Sequence, residues 1–309
     1  MALKNTYVEL AISKITGDKT LVDAVDTVTE ESPIMAILPM EETSNGFTDN
    51  YEVLKEVDGI PQTDLDAPVP EIDLSEDVEQ VSLNSFSGRI VAGIDKLKLL
   101  DKSMAEYVSV RLPKHYRRTM QKMEKTWIYN FARKFALENY ATDNTRVIDG
   151  GGAGDTNYSI LAVKFEQGET AGLYDPNGFG DGTLFEEIFE SGGEVYRDKD
   201  DRSVQSMVVK NYIGFKFANP LHVVAMVNID ASAVPTEEQL GALIDDAQGA
   251  DALFMHPTLA RKLSTKYGTD KIEYKYGDTD MSSQFKYYDG VPLITSRNFE
   301  RGTEPKVTL

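Results

Sequence analysis

The clearest pattern in the chain is a stripe of large apolar side chains at helical spacing. Its members recur every three or four residues and are Tyr116, Met120, Met123, Trp127, Phe131 and Phe135. Pro113 suits the first turn of a helix, because its missing N–H needs no partner there. The spacing predicts a helix over residues 113–140, about 40 Å long, with the stripe facing the core. Stripes of this composition are usually core packing and seldom cofactor sites.

Before this helix, a period of two indicates a long hairpin. Tyr51, Val53 and Val57 alternate with polar residues until Gly59 and Pro61 interrupt the pattern. A second alternating set predicts the returning strand and consists of Val81, Leu83, Phe86, Gly88, Ile90, Ala92 and Ile94. With roughly 20 residues in each leg at about 3.3 Å per residue, the hairpin would reach about 65 Å and project beyond the body of the protein.

The rest of the chain predicts an α+β protein. Upstream, a helix over residues 20–31 and an extended segment over 33–39 indicate an N-terminal arm. Beyond a glycine-rich break at 150–154, strands are predicted over 159–165, 206–209, 212–217 and 222–227. Helices over 236–248 and 257–265 then alternate with strands over 252–255 and 291–296.

Charge separates the hairpin from the helix that follows. The hairpin is acidic and is opposed only by Lys55 and Arg89, whereas the helix is basic. A segment with much charge and little apolar bulk can lie on an oppositely charged surface, so we expect the hairpin to reach another subunit. The residues predicted to make this contact are Glu52, Glu56, Asp58, Asp64, Asp66, Glu76 and Asp77 of the hairpin, with Arg111, Lys114, Arg117, Arg118, Lys122 and Lys125 of the helix.

Composition narrows the classes of function. The chain has 309 residues and a formal net charge of -19, which argues against tight nucleic-acid binding because phosphate affinity comes mainly from Lys and Arg. Without cysteine there are no disulfides, thiol nucleophiles or thiolate metal sites. No run is long enough to span a bilayer, and residues 1–17 lack the apolar segment of a signal peptide. We therefore expect a soluble protein that is cytoplasmic when made.

One motif resembles a calcium-binding loop. Asp175, Asn177, Gly180 and Glu186 match positions one, three, six and twelve of an EF-hand. Phe179 stands at a ligand position and no helix is predicted before the loop, so an ordinary turn is the better interpretation.

The sequence lacks the residue spacings of a histidine metal site, a phosphate-binding loop and a serine hydrolase. His115, His222 and His256 are far apart in sequence, and the glycines of residues 150–154 are not followed by Lys-Ser/Thr. No Gly-x-Ser-x-Gly motif is present to support a hydrolase. We predict no catalytic residue, no cofactor and no metal site, and we do not expect an enzyme.

Several segments, taken in order, resemble a known family. They are Arg146–Gly151, Ser159–Val163, Gly172–Gly178, Gly192–Tyr196, Val224–Asp230, Leu253–Thr258 and Asp289–Leu293. Together, over roughly residues 33–300, they are similar to the major capsid proteins of tailed bacteriophages with the HK97-type fold, and most closely to those of the short-tailed phages. Each motif alone is weak, and their order carries the resemblance.

The resemblance implies a domain organisation. Residues 1–42 would be the N-terminal arm, 43–95 the E-loop hairpin, 96–230 the P domain with its spine helix over 113–140, and 231–309 the A domain. In the better-known order of this fold the P-domain strands follow the A domain, whereas here a strand-rich region, residues 155–230, precedes the A-like segment. Either the strand order is permuted or the domain labels for that region are wrong.

The resemblance also implies a function. The protein would assemble through hexamers and pentamers into an icosahedral shell around packaged phage DNA, with portal, scaffolding and decoration proteins as further partners and no membrane. Its location would be the virion, and the host cytoplasm during assembly. Two alternatives stay open: an encapsulin-like shell around enzymes, and a small soluble calcium-binding protein.

Overall fold

The structure is a computed structural model that describes residues 31–57, 74–175, 186–276 and 284–309. The predicted helix over 20–31 lies, apart from Glu31, outside these residues, as do the predicted hairpin tip and most of the EF-hand-like loop. The helices are α1 (Pro33–Ile37), α2 (Ile94–Leu100), α3 (Met104–Ser109), α4 (Leu112–Thr126), α5 (Arg133–Asn139), α6 (Glu237–Asp246) and α7 (Pro257–Lys271). No helix in the described ranges is long and apolar enough to cross a membrane.

The strands form two large sheets and a separate hairpin among the described residues. They are β1 (Met40–Glu42), β2 (Thr48–Val57), β3 (Leu74–Ser82), β4 (Asn84–Gly93), β5 (Val147–Asp149), β6 (Asn157–Val163), β7 (Thr170–Tyr174), β8 (Glu186–Phe189), β9 (Tyr196–Arg197), β10 (Ser203–Phe217), β11 (Val223–Asp230), β12 (Ala252–Met255), β13 (Ile272–Tyr276), β14 (Gln284–Tyr288) and β15 (Val291–Thr295).

One long helix runs through the middle of the protein and is called here the spine helix. It consists of α4, a π-helical segment (Trp127–Ala132) and α5. The predicted stripe is confirmed: Met120, Met123 and Trp127 are buried, and the Trp127 ring packs edge-on against Phe254. The π-helical turn is wider than an α-helical turn. Beyond Trp127 the fully buried positions are accordingly Ile128, Ala132 and Ala136, while Phe131 and Phe135 are partly buried.

The six-stranded sheet is organised by β10, a single strand of 15 residues where the sequence predicted two. Its first part pairs antiparallel with β4, from Val204 opposite Gly93 to Ile213 opposite Asn84. Its last four residues pair with β7, and β8 and β9 also pair with it. Strand β1 joins the far side of β7 in parallel, so residues next to α1 enter this sheet.

The hairpin is shorter than predicted. Strand β2 pairs only with β3 among the described residues, from Thr48 opposite Ser82 to Val57 opposite Leu74. The chain then passes through Leu83 into β4, which belongs to the six-stranded sheet. The predicted returning leg therefore divides into two strands. Alternation of apolar and polar residues indicates that one face of a strand is buried, but it does not identify the sheet that the strand joins.

The seven-stranded sheet has the order β13-β14-β15-β12-β6-β11-β5. Alternate residues of β6 face opposite layers: Leu161 and Val163 pack with the spine helix, whereas Ile160 and Ala162 pack in the cluster that contains residues of α6 and α7. Because both faces are covered, β6 and β11 are apolar and buried almost throughout.

Residues 155–230, a strand-rich region in the sequence, contribute strands to both large sheets. Strands β6 and β11 lie at the two ends of that region and belong to the seven-stranded sheet, whereas β7 to β10 between them belong to the six-stranded sheet. The boundary predicted at residue 230 therefore cuts through one sheet. Single-sequence patterns show where strands are, but partners distant in sequence are fixed only by packing.

Candidate functional site

The spine helix has an apolar inner face and a basic outer face. Tyr116, Met120 and Met123 turn one side of α4 into the core. Lys114, Arg118 and Lys122 follow one another at spacings of four and are exposed on another side. Residues four apart lie one above the other on a helix, so these three side chains form a row that is called here the basic row.

Next to the basic row, a groove of about 250 Å³ separates α4 from β4. Arg118 and Lys122 contribute from the helix, Arg89 from the strand, and Phe86 and Ile90 add apolar surface. We call this feature the basic groove. Arg89 also pairs with Glu190 at 2.7 Å, and Arg118 donates to the Gln121 Oε1 atom at 2.8 Å. The groove offers apolar surface together with cationic side chains, which suits an acidic segment with some hydrophobic residues.

The other predicted basic residues have partners within the same chain. Arg117 lies 3.5 Å from the Glu31 carboxylate, and Lys125 lies 3.1 Å from the Glu300 carboxylate. The Arg111 guanidinium stacks over the Tyr107 ring at 3.5 Å. Within the described ranges, no carboxylate lies at ion-pair distance from any member of the basic row. This row is therefore the part of the predicted surface that is left for an acidic partner.

The acidic side of the predicted contact is only partly described. Glu52 and Glu79 are exposed on β2 and β3. The side chains of Glu56, Asp58, Asp64, Asp66, Glu76 and Asp77 lie outside the described part of the chain, so the predicted contact with the spine helix stays a prediction. A two-stranded hairpin is marginal by itself in water, which makes further packing against a second surface physically reasonable.

A buried carboxylate in the spine helix was missed by the sequence analysis. Glu124 is fully buried and accepts hydrogen bonds from the Ile34 N–H at 3.0 Å, the Asn298 amide at 3.0 Å and the Ser296 hydroxyl. Burial raises the pKa of Glu124 to about 7, and these hydrogen bonds oppose the shift. The carboxyl group thus joins α1, the spine helix and the C-terminal segment. Its spacing of four from Met120 was the signal that it faces inward.

A second carboxylate, Glu304, anchors the C-terminal segment to the spine helix further along. Its Oε2 atom lies 3.0 Å from the Arg133 guanidinium, and its Oε1 atom accepts from the Tyr129 hydroxyl at 2.7 Å. Ser159 of β6 donates to it as well. Burial raises the pKa of Glu304, while the Arg133 charge lowers it. Arg133 is therefore buried, unlike most of the basic residues of the spine helix.

Comparison with solved structures identifies the fold of the chain, whereas comparison of sequences finds no match. No family model matches the chain, and no curated protein sequence matches it. The capsid structure of bacteriophage JBD30 superposes with a TM-score of 0.51 at 12% identity, covering 96% of this chain and 99% of that one. The chain therefore has the HK97-type fold of phage capsid proteins, in agreement with the sequence resemblance.

Two further solved structures are similar at lower scores. The structure of bacteriophage epsilon15 has a TM-score of 0.47 at 9% identity and covers 86% of this chain and 87% of that one. The holo-SrpI encapsulin complex from Synechococcus elongatus has a TM-score of 0.46 at 12% identity and covers 66% of this chain and 90% of that one.

Proposed function

We propose that the protein is the major capsid protein of a tailed bacteriophage, which assembles through pentamers and hexamers into an icosahedral shell around packaged DNA. The supporting observation is the similarity to the JBD30 capsid chain over nearly the full length of both chains. Because one fold can serve several functions, the proposal also uses the arrangement of charge. The acidic hairpin and the basic row, which has no ion-pair partner among the described residues, are the two halves of a contact between copies of one chain.

In the proposed contact, the hairpin of one subunit lies on the basic groove of its neighbour. Strand β2 has ten residues, which span about 33 Å, so the hairpin can extend to an adjacent subunit. Exposed ion pairs contribute only about 0–1 kcal/mol each. The charges therefore set register and orientation, and the apolar residues of the groove and hairpin supply most of the contact energy.

The net charge of -19 fits a container better than a DNA-binding protein. A shell wall that bound phosphate tightly would oppose the movement of DNA during filling and release, because each bound phosphate adds a salt-dependent attraction. We infer that DNA is held by enclosure and not by tight contact with this chain. Portal, scaffolding and decoration proteins would be its other partners.

Within this proposal, the two large sheets define the domains. The six-stranded sheet and the spine helix form the P domain, and the seven-stranded sheet with α6 and α7 forms the A domain. The connections between β6 and β7 and between β10 and β11 carry the chain from one domain to the other and back.

Purification of the full chain tests the assembly. Size-exclusion chromatography followed by negative-stain electron microscopy should show closed shells, alone or with a co-expressed scaffolding protein. A monomer or small oligomer under all these conditions would contradict the proposal.

A second experiment distinguishes a phage capsid from an encapsulin-like compartment by the content of particles from the natural source. DNA inside the particles supports a capsid, whereas packaged enzymes would indicate an encapsulin-like compartment.

Charge reversal tests the contact. Lys114→Glu, Arg118→Glu and Lys122→Glu together should leave a folded chain that forms aberrant shells or none. The matched control reverses three other exposed lysines, Lys134, Lys199 and Lys306, so that the change in net charge is the same. Normal shells from the first variant would show that the basic row does not take part in assembly.

A further inference from the structure

Two of the connections between the large sheets run side by side. One passes from β6 to β7 through residues 164–169, and the other passes from β10 to β11 through residues 218–222. Backbone hydrogen bonds tie them together, from the Ala218 N–H to the Glu169 carbonyl at 2.7 Å and from the Lys164 N–H to the His222 carbonyl at 2.9 Å. This is the place where the chain crosses between the sheets in both directions.

Three side chains with metal-ligating atoms meet at this crossing. The Nε2 atom of His222 lies 3.3 Å from the Glu169 Oε2 atom and 3.5 Å from the Glu166 Oε2 atom. All three donor atoms are within 4.8 Å of one another. His222 is only 1% exposed, whereas Glu166 is half exposed, so the cluster is buried on one side and reachable from solvent on the other.

Neighbouring groups fix the orientation of the His222 ring. The Asn219 Oδ1 atom accepts from the Leu221 N–H at 2.9 Å, so the amide nitrogen of Asn219 faces the Nε2 atom of His222 at 3.2 Å. The other ring nitrogen, Nδ1, lies 3.2 Å from the Thr170 hydroxyl, which can accept its proton. In this arrangement Nε2 accepts from the Asn219 amide and lies beside the two carboxylates, so a bound cation would replace the Asn219 N–H as the partner of Nε2. Such a grouping of electron-rich atoms is stabilised by a cation placed between them.

We propose that Glu166, Glu169 and His222 bind a divalent transition-metal ion of the zinc class. In a tetrahedral zinc site with bonds of about 2.0–2.1 Å, neighbouring ligand atoms are about 3.3–3.4 Å apart. The nitrogen–oxygen separations of 3.3 and 3.5 Å match that spacing. Imidazole with carboxylate favours zinc and similar ions over magnesium, which prefers oxygen ligands and water.

The surroundings meet the other requirements of such a site. The Thr170 hydroxyl lies 3.2 Å from His222 Nδ1, where it can accept the hydrogen bond that the uncoordinated ring nitrogen of a metal-bound histidine usually donates. The exposed side of Glu166 leaves room for water as a fourth ligand. Lys164 lies 3.4 Å from Glu166 and would move away from the bound ion. A metal here would link the two crossings and hold the six-stranded and seven-stranded sheets in one relative orientation.

Metal titration of the full chain, first treated with EDTA, tests the site. We expect Zn²⁺ to bind with one ion per chain by isothermal titration calorimetry and to raise the melting temperature, and we expect no comparable effect of Mg²⁺. Glu166→Gln and Glu169→Gln should each weaken Zn²⁺ binding by at least about 100-fold, and Thr170→Val by about 10–100-fold. Glu194→Gln, an exposed carboxylate elsewhere, is the control and should bind normally.

Cobalt gives a second readout that does not depend on stability. Co²⁺ in a tetrahedral site absorbs visible light strongly, and the band should vanish in His222→Gln. If that variant does not fold, loss of the band in Glu169→Gln serves instead. The proposal is wrong if Zn²⁺ shows no saturable binding, or if the glutamate variants bind it as well as the unmodified chain does. The cluster would then be an ion-pair network of His222 and Lys164 with the two glutamates.

Discussion

The two faces of the spine helix differ in how their charges are used. On the buried face, Glu124 and Arg133 are enclosed and hydrogen-bonded to segments distant in sequence. On the exposed face, the basic row has no ion-pair partner within the described ranges. A buried charge that loses its partner destabilises a fold by several kcal/mol, whereas an exposed charge contributes little. The buried face should therefore determine the stability of the subunit and the exposed face its assembly.

The largest effect is expected at the Arg133–Glu304 pair. Glu304→Ala leaves the Arg133 guanidinium buried without its carboxylate, so the free energy of unfolding should fall by about 3–5 kcal/mol. Chemical denaturation of the unassembled protein measures this change. Glu300→Ala is the control, because the Lys125–Glu300 pair is largely exposed and should contribute about 0–1 kcal/mol. Equal falls in the free energy of unfolding of the two variants would show that buried and exposed ion pairs of this helix contribute equally to stability.

The next largest effect is a pH dependence from Glu124. Its pKa is about 7 in the folded protein and about 4.5 in the unfolded chain, so folding favours the protonated acid. The stabilisation is complete below pH 4.5 and is lost as the pH rises through 7. A shift of this size corresponds to about 3 kcal/mol.

Glu124→Gln cannot ionise and should lack this component. We expect the free energy of unfolding of the variant, minus that of the parent chain, to increase by about 3 kcal/mol between pH 4.5 and pH 8, because only the parent loses stability over this range. A difference between the two proteins that stays constant with pH would show that folding does not raise the pKa of Glu124, because its hydrogen-bond donors offset the effect of burial.

A smaller effect is expected at Tyr129, which lies between the two faces. Its hydroxyl donates to Glu304 and accepts from the Glu300 N–H at 2.8 Å. Tyr129→Phe leaves that N–H and one carboxylate oxygen without this partner, and we expect a loss of about 1–3 kcal/mol. Tyr140→Phe near the end of the same helix provides the comparison in denaturation experiments. No loss at Tyr129 would mean that water replaces the hydroxyl at no cost.

The smallest effect on stability belongs to the basic row. Reversal of Lys114, Arg118 and Lys122 to glutamate should change the free energy of unfolding by no more than about 0.5 kcal/mol for each exposed position, although assembly is lost. Thermal and chemical unfolding of the soluble variant, compared with the triple control at Lys134, Lys199 and Lys306, would check this. A large fall in the free energy of unfolding would show that the basic row stabilises the fold of the subunit.

The helices and strands that were predicted correctly are those whose pattern of apolar residues is contained in a short stretch of sequence. The apolar stripe predicted the spine helix, and the strands β6, β11 and β12 were predicted within a few residues. Ser103 and Glu106, three residues apart, form a capping box at the start of α3 with both of its hydrogen bonds present. The hairpin was also predicted, but its returning leg was extended into β4, although the alternation shifts by one residue between Leu83 and Phe86, where the two strands divide.

The sites depended on contacts that the sequence does not show. Glu124 could have been placed on the buried face by its spacing from Met120, but its partners Ile34 and Asn298 lie 90 and 174 residues away. His222 was set aside because no ligand stands near it in sequence. The two glutamates reach it only because two sheet connections run together.

The sequence by itself determined the α+β class, the spine helix with its apolar and basic sides, and the acidic hairpin, because periodicity and charge are properties of neighbouring residues. Only the tertiary structure decided which sheet each strand joins, that Arg133 is inside while Lys114, Arg118 and Lys122 are exposed with no carboxylate of the described residues at ion-pair distance, and that Glu166, Glu169 and His222 meet. These outcomes follow from packing between segments far apart in the chain, where the energy of one arrangement depends on all the others.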